Sequence, residues 1–246
     1  MKTFRMIGMA LFAVLMCVSF ASCSEDDDPA EVKNENGVVT SGKKLVKLVE
    51  TKESDDKTTT FNYDARGCLI AVAISSNYYE ENSHFAWNKG TIVKTETGKY
   101  GGSTTYIITD GLVRHSDDDD SFIYNNSNKL IKHETYVDSF EAKWDCDKLV
   151  EIIDGGSIIT FAYGDKTTKG FTPISLFSDI LGGFTVGKVH PEIAGMRTTQ
   201  LPISRTWNKE DIDTFEYEFD KDGYVSKIIR KDSDGEIYNT VTLIWE

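Results

Sequence analysis

The sequence is short of proline and of positive charge, and each shortage excludes a class of structure or partner. Only four of the 246 residues are proline, and none lies between Pro29 and Pro173 or after Pro202. Because proline cannot donate to a β-ladder, the long stretches without it favour sheet. The 27 basic residues are outnumbered by 40 acidic ones. This balance argues against a nucleic-acid partner, since phosphates are bound by Lys and Arg.

The N-terminus has the organisation of an export signal. Lys2 and Arg5 begin a signal whose apolar run, residues 6–21, is shorter than the roughly 20 residues of a membrane-spanning helix. The run leads into Phe-Ala-Ser before Cys23, which resembles the lipobox of bacterial lipoproteins. That resemblance implies removal of residues 1–22 and acylation of Cys23, which anchors a protein firmly. An ordinary secretory signal cut near the same place is the alternative.

The segment after Cys23 indicates where the protein is displayed. Residues 24–28, Ser-Glu-Asp-Asp-Asp, are similar to the acidic export tag of surface lipoproteins in Bacteroides and its relatives. A solvated acidic spacer is the alternative. Residues 23–41 are polar and lack periodicity, so we predict a flexible acidic tether. Together these features predict an outer-membrane protein that faces the cell exterior and contacts the membrane only through its lipid.

A degenerate repeat over residues 42–246 predicts strands. Aromatic residues recur two positions apart, as in Phe61-x-Tyr63, and an apolar strand start such as Leu69 follows about seven residues later. Turn residues rich in Gly, Asn and Asp separate the two elements. A spacing of two places both rings on one face of a strand. We predict an all-β antiparallel meander of about 14 or 15 strands, curled into a half-barrel or barrel.

An apolar segment at about residues 164–206 interrupts this meander. A threonine followed by Pro173 is typical of a helix start, and Ile174, Phe177 and Leu181 share one helical face. We therefore predict an insertion with a short helix. Its apolar residues would cover the concave aromatic face that a wide sheet otherwise leaves exposed.

These motifs together resemble one family. Tyr-Asp-x-x-Gly-x-Leu at residues 63–69 is similar to a YD-type repeat, and Phe-Asp-x-x-Gly recurs at residues 219–223. With the lipobox and the acidic tag, the mature chain resembles a Bacteroidales surface lipoprotein family of unknown function with a porin-like fold, the DUF 4595 type. The resemblance implies the fold and the anchor, but no activity or site residues. Charges interrupt the expected strands, as in residues 129–134, so we expect no membrane-spanning pore.

Few residues are candidates for metal binding. His115 and His133 are expected nearly 10 Å apart, at about 4.8 Å per strand step, which is too far for one metal ion. Residues 117–120, four consecutive aspartates, could attract calcium, and this question stays open. Asp-x-Asp-Gly at residues 220–223 and 232–235 looks like a calcium loop but fits a hairpin turn better. We predict no metal or cofactor site.

Candidates for ligand binding and catalysis are equally few. Tyr78, Tyr79 and Trp207 could form platforms for sugars, although ordinary strand or core positions explain them as well. Ser, His and Asp occur without a nucleophile signature, and nothing selects a pair of carboxylates. We therefore expect a monomeric, non-enzymatic protein that binds a glycan or another envelope protein, or has a structural role. A hydrolase of surface glycans is the alternative.

The two cysteines of the domain are not expected to pair with each other. Cys68 and Cys146 are separated by four units of the repeat, or nearly 40 Å along an open sheet at about 4.8 Å per strand. A disulfide requires Cα atoms within about 7 Å. We therefore predict that Cys68 and Cys146 do not pair and that both are free thiols.

Overall fold

The computed structural model describes residues 31–52, 55–97, 101–136, 139–173, 176 and 184–246. In this part of the chain, sixteen antiparallel strands form a closed barrel, which confirms the predicted all-β meander. The strands are β1 (Leu45–Thr51), β2 (Asp56–Tyr63), β3 (Leu69–Ser75), β4 (Glu80–Asn88), β5 (Thr91–Thr97), β6 (Ser103–Thr109), β7 (Leu112–Ser116), β8 (Ser121–Tyr124), β9 (Leu130–Glu134), β10 (Ser139–Asp145), β11 (Lys148–Asp154), β12 (Ser157–Thr167), β13 (Gln200–Trp207), β14 (Asp211–Phe219), β15 (Val225–Lys231) and β16 (Ile237–Trp245).

The barrel closes where the first strand meets the last. Each strand pairs with its neighbours in the sequence, and β16 returns to pair with β1, with Leu45 opposite Trp245. Two backbone hydrogen bonds between Lys44 and Glu246 extend this seam. Even-numbered strands run toward one end of the barrel, here called the cap end, and odd-numbered strands run toward the opposite, far end. Lys44 precedes β1 and Glu246 follows β16, so both residues lie at the cap end.

The predicted aromatic repeat has a second role in the structure. Seven of the eight even-numbered strands carry a Tyr or Trp whose side chain donates a hydrogen bond to a backbone carbonyl of the preceding strand. Tyr63 donates to Leu45 and Trp87 to Leu69, both at 2.7 Å. The same bond is made by Tyr124, Trp144, Tyr163, Tyr217 and Trp245 to Val113, Leu130, Leu149, Pro202 and Val225. Each buried or half-buried ring thereby satisfies its polar group and links the two strands of a hairpin.

The turns confirm the predicted chemistry at four hairpins. In each, one side-chain Oδ1 accepts hydrogen bonds from the backbone N–H groups two and four residues later, which is an Asx-type turn. The four acceptors are Asp64, Asn125, Asp220 and Asp232. The first three turns lie at the cap end and the fourth at the far end. The two calcium-like sequences are therefore hairpin turns.

The structure has sixteen strands where the sequence predicted 14 or 15. β13 overlaps the region 164–206, which the sequence assigns to the insertion because it contains Pro202. In the β12–β13 ladder, Pro202 lies opposite Tyr163 at an irregularity in register. A bulge tolerates the missing N–H of proline, so a strand persists there. The connection between β12 and β13 accordingly covers residues 168–199.

Two segments cover the cap end, and together they are called the cap: residues 31–44 and the insertion, 168–199. The backbone N–H groups of Val113 and Leu130 donate to carbonyls of Ile193 and Gly195 in the insertion. The insertion also contributes Phe184, a fully buried side chain. Residues 31–41 belong to the segment expected to be a tether, and they make ordered contacts in the structure.

The insertion fills part of the barrel, as predicted. The ring of Phe184 lies 4.7 Å from that of Tyr106 and 5.4 Å from that of Phe122, centroid to centroid. A 3-10 helix follows at Thr185–Lys188. The helix predicted from residues 174, 177 and 181 lies outside the described residues.

The inner wall changes in polarity along the barrel axis. Toward the cap end it is apolar, with Leu69, Leu130 and Leu149 fully buried at strand starts. Toward the far end it carries buried polar side chains: Thr59, Ser83, Lys94, His133, Arg205 and Asn239. The insertion reaches this polar half, because Arg205 Nη1 donates to the carbonyl of Leu176 at 3.4 Å.

The outer wall is charged. Lys231 lies 2.6 Å from Glu216 and Lys227 lies 3.1 Å from Glu218 on neighbouring strands. A lipid-facing barrel wall carries an apolar row instead. No helix among the described residues is long and apolar enough to cross a membrane.

Cys68 is a buried free thiol at the cap end, just before β3. The predicted free thiol is confirmed at Cys68. The prediction is wrong for Cys146, which is disulfide-bonded, although not to Cys68. Burial raises the pKa of the Cys68 thiol, and a hydrogen bond from Asn34 opposes that effect.

Candidate functional site

A pocket of about 430 Å³ opens between the two segments of the cap and the barrel rim. We call it the cap pocket. Residues 31–44 form one side, and the two ends of the insertion form another. Phe171 and Tyr224 give it an aromatic wall. Four cationic side chains line it: Lys43, Lys44, Lys169 and Arg197.

A buried histidine joins three parts of the molecule beside this pocket. The N–H of Leu69, at the start of β3, donates to Nε2 of His190 at 3.1 Å. Nε2 therefore carries no proton, and the neutral ring has its proton on Nδ1. Nδ1 lies 3.4 Å from Oε1 of Glu192, which also accepts the N–H of Val39 at 2.9 Å. Barrel, insertion and N-terminal segment are thus linked through one pair of side chains.

The His190 ring is held firmly in place. It is 1 % exposed and makes edge-on contacts with the rings of Tyr63 and Trp87, at 5.7 and 5.8 Å. Both of those residues belong to the hydrogen-bonded aromatic repeat. The repeat thereby supplies the slot into which the insertion docks.

Glu192 is charged although it is almost fully buried. Burial by itself raises the pKa of this carboxyl, but the hydrogen bonds from His190 and Val39 outweigh it and lower the pKa below its ordinary value. The carboxylate is therefore a structural anion that holds the cap in place.

Lys44 is a half-buried cation of the cap pocket. Its Nζ donates to the carbonyl of Val39, and burial lowers the pKa of its ammonium group. Glu192 opposes that effect from a distance, and Arg197 adds to it. No carboxylate lies within ion-pair distance of Lys44 or Lys169 among the described residues. Both cations are available to a ligand.

The other two cations of the pocket are already paired. Lys43 lies 2.8 Å from Asp220 and 2.7 Å from Asp222. The Lys43 hydrogen bond lowers the pKa of Asp220 to about 2. Arg197 Nε lies 2.5 Å from Glu31. These pairs form the rim, while Lys44 and Lys169 supply the unpaired charge.

The sequence-based candidates lie elsewhere. Cys23 is outside the described residues. His115 is exposed on the outer wall, whereas His133 faces inward and stacks on Phe122 with ring centroids 4.4 Å apart. The two histidines are therefore on opposite faces of the sheet. Among the described residues, no group of three or more His, Cys, Asp and Glu is arranged to hold a metal.

The four aspartates 117–120 form the β7–β8 turn at the far end. Asp117 accepts the N–H of Thr105 at 2.6 Å, and Asp118 accepts the hydroxyl of Thr104 at 2.7 Å. At least two of the four carboxylates thus serve the turn itself. Asp119 has a positive φ of 64°, as tight turns require.

The candidate aromatic platforms are separated as well. Tyr78 and Tyr79 are exposed in the β3–β4 loop at the far end. Trp207 is half-buried on the inner side of β13, with Arg205 5.3 Å from its ring. The structure does not bring these three residues into one surface.

The residues of the cap pocket were not singled out in the sequence. His190 and Glu192 bond to Leu69 and Val39, which lie 121 and 153 positions away. A signal was present nonetheless: His190 and Glu192 stand in an otherwise apolar insertion. Buried charged residues are rarely found without a partner.

Comparisons with known proteins support the fold. The structure is similar to the crystal structure of a porin-like protein from Bacteroides uniformis ATCC 8492, with a TM-score of 0.65 and 16 % identity over 84 % of this chain and 98 % of that one. It is also similar to a porin-like protein from Bacteroides vulgatus ATCC 8482, with a TM-score of 0.61 and 11 % identity over 83 % and 99 %. No family model and no curated protein matches the sequence. At these identities the likeness concerns the fold alone.

Proposed function

We propose that the protein is a lipoprotein of the bacterial outer membrane, of the Bacteroidales family that its sequence resembles. Cys23 carries the lipid, and the acidic residues 24–28 direct the protein to the cell exterior. The barrel is monomeric and binds a small anionic ligand in the cap pocket without catalysing a reaction. An acidic glycan is the ligand class that best fits a pocket with both cations and aromatic walls.

The observation that carries this proposal is the charge of the cap pocket. The chain has a net charge of −13, yet four cations line this one pocket. Lys44 is half-buried there without a carboxylate partner, and this partial burial lowers the pKa of its ammonium group. A ligand carboxylate or sulfate would oppose this effect, because an opposite charge favours the ammonium form of Lys44.

The pocket does not support hydrolysis of glycans. Its lining contains two carboxylates, Glu31 and Glu192. Glu192 is held by two hydrogen bonds, and Glu31 is paired with Arg197. Glycosidases require one carboxyl group as an acid and a second as a base or nucleophile. Neither carboxylate is free for such a role.

The proposed anchor places the pocket close to the membrane. Cys23 and Glu31 are eight residues apart in the sequence, and an extended chain spans at most about 3.6 Å per residue, or about 29 Å. Glu31 lines the cap pocket. The cap end would therefore face the lipid surface, and the far end would face outward.

Binding can be tested with the mature chain carrying Cys23→Ser. On an array of acidic and neutral glycans, we expect retention of oligosaccharides that contain uronic acid or sulfate and no retention of neutral ones. Lys169→Gln should weaken binding at least tenfold, whereas Lys227→Gln on the outer wall should leave it unchanged. Equal binding by both variants, or retention of neutral glycans alone, would contradict the proposal.

The anchor has its own test, independent of the ligand. Cells labelled with radioactive palmitate should yield labelled wild-type protein and unlabelled Cys23→Ser protein. Protease treatment of intact cells should remove the wild-type protein. Replacing Asp26, Asp27 and Asp28 by Ala should protect it, because the acidic tag is then absent. An unlabelled wild-type protein would disprove the anchor.

A further inference from the structure

A second group of polar side chains lies inside the barrel, on the wall formed by β13–β16 near the far end. It consists of Arg205, Asp213, Arg230, Tyr238 and Asn239, and we call it the inner arginine cluster. The register places Arg205 opposite Asp213, and Arg230 opposite Asn239. None of these residues lines the cap pocket. The cluster is therefore a separate candidate site.

The cluster carries an excess positive charge in a poorly solvated position. Arg205 Nε donates to Asp213 Oδ2 at 2.6 Å, and Arg230 Nη2 lies 3.6 Å from the same oxygen. One carboxylate thus serves two guanidinium groups. The side chains of Arg205, Arg230 and Asp213 are only 9, 12 and 17 % exposed. A charge so enclosed favours a bound counter-ion.

The same place contains polar atoms without partners. Asn239 is 1 % exposed, and among the described residues neither its Oδ1 nor its Nδ2 has a hydrogen-bond partner. Arg230 Nε is equally buried and equally without one. Side chains opposite each other on neighbouring strands have Cβ atoms about 5 Å apart. Buried polar groups in native proteins are nearly always hydrogen-bonded. The two donors, Arg230 Nε and Asn239 Nδ2, and the acceptor, Asn239 Oδ1, can therefore bind a ligand.

The backbone is also irregular at this point. The β15–β16 register shifts between Arg230 and Lys231, which leaves Tyr238 as the extra residue of a bulge. Bulges redirect side chains and recur beside binding sites. The guanidinium of Arg230 lies 5.0 Å from the centre of the Tyr238 ring, and that of Arg205 lies 5.3 Å from Trp207. Both arginines are thus held against aromatic rings.

We propose that the inner arginine cluster binds the carboxylate of a small hydroxy acid. The carboxylate accepts hydrogen bonds from Arg230 Nε and Asn239 Nδ2, and it balances the second guanidinium. The hydroxyl group donates to Asn239 Oδ1. An α-hydroxy carboxylate is the simplest molecule that presents one charged acceptor group and one donor within the reach of a single asparagine.

The test uses the mature chain with Cys23→Ser and the probe glycolate. Thermal unfolding is measured with glycolate, acetate, ethylene glycol and sodium chloride, all salts at the same ionic strength. We expect glycolate at about 100 mM to raise the Tm by about 5 °C, acetate to raise it less, and ethylene glycol and sodium chloride to have no effect. Asn239→Leu and Arg230→Met should abolish the glycolate effect. Lys227 lies on the outer wall of β15, the strand that carries Arg230, so Lys227→Met should retain the glycolate effect.

A direct observation covers the case in which a variant does not fold. In wild-type protein with labelled asparagine side chains, glycolate should shift the NMR signals of the Asn239 amide group, and ethylene glycol should not. The proposal is overturned if glycolate leaves the Tm and these signals unchanged. It is also overturned if acetate or ethylene glycol acts as strongly, or if both cluster variants respond like the wild type.

Discussion

The N–H of Leu69 donates a hydrogen bond to Nε2 of His190 across 121 positions of sequence. It fixes the insertion to the barrel at the point where β3 begins. Through Glu192 the same ring also holds Val39 of the N-terminal segment. One imidazole is therefore the junction of barrel, insertion and N-terminal segment.

Replacing this imidazole should destabilise the whole domain. In His190→Ala, the Leu69 N–H loses its acceptor and Glu192 becomes a buried charge without its partner, so we expect a loss of about 3–5 kcal/mol in the free energy of unfolding. His115→Ala is the control, because an exposed outer-wall side chain should matter by less than about 0.5 kcal/mol. Urea unfolding measures both. Similar losses of unfolding free energy in His190→Ala and His115→Ala would contradict the role of His190 as a junction.

Acid should weaken the cap through Glu192. The pKa of this carboxyl in the folded protein lies below its ordinary value of 4.5. The unfolded chain therefore takes up the proton first as the pH falls. The ionised Glu192 carboxyl therefore contributes fully to the free energy of unfolding above pH 4.5. This contribution is lost as the pH falls through the pKa of the carboxyl in the folded protein. Glu192→Gln lacks this contribution, so its free energy of unfolding should depend less on pH between neutral pH and the acid range. Parallel pH profiles for wild type and variant would contradict the assignment.

The aromatic donors should contribute similar amounts at each hairpin. Tyr63→Phe or Tyr217→Phe removes a hydroxyl group and leaves the ring, so we expect a loss of about 1 kcal/mol for each, and somewhat more if the carbonyl stays unpaired. Tyr136→Phe, in an exposed loop, is the matched control and should have no effect. The measurement is the midpoint of urea unfolding, compared between variants whose unfolding free energy has the same dependence on urea concentration.

Gly195 should tolerate no side chain. It has a φ of +65°, and an added Cβ would lie 2.6 Å from the Asn128 carbonyl oxygen and from the Tyr124 ring. Gly235 has a similar φ of +83° but open space around it. Gly235→Ala therefore reports the backbone strain alone, about 1–2 kcal/mol. Gly195→Ala should cost about 1–3 kcal/mol more, because the neighbours must move. Equal losses would mean that the insertion shifts freely there.

The insertion should behave as core. Phe184 is fully buried against the rings of Tyr106 and Phe122. Phe184→Ala should therefore lower the free energy of unfolding by about 3–5 kcal/mol and increase binding of a hydrophobic dye. Tyr136→Ala provides the exposed control. A stable, dye-free variant would show that this segment rests on the barrel without filling it.

Local patterns in the sequence were enough to predict the barrel wall. Aromatic pairs such as Phe61-x-Tyr63 predict the face of a strand, and residues such as Asp64 predict a turn. Both signals depend only on residues that are close together in the sequence. β13 was missed since Pro202 was read without knowledge of the bulge opposite it. The cap pocket and the inner arginine cluster depend on pairings between distant strands and on Glu192 meeting Val39. No periodicity in the sequence predicts those long-range contacts.

The seam between Leu45 and Trp245 has a consequence for biosynthesis. The first strand cannot find its partner until β16, Ile237–Trp245, has left the ribosome. A nascent chain therefore carries two unpaired edges throughout translation, and contacts over such long sequence separations form slowly. A chain truncated before β16 would keep both edges exposed and would be prone to aggregation.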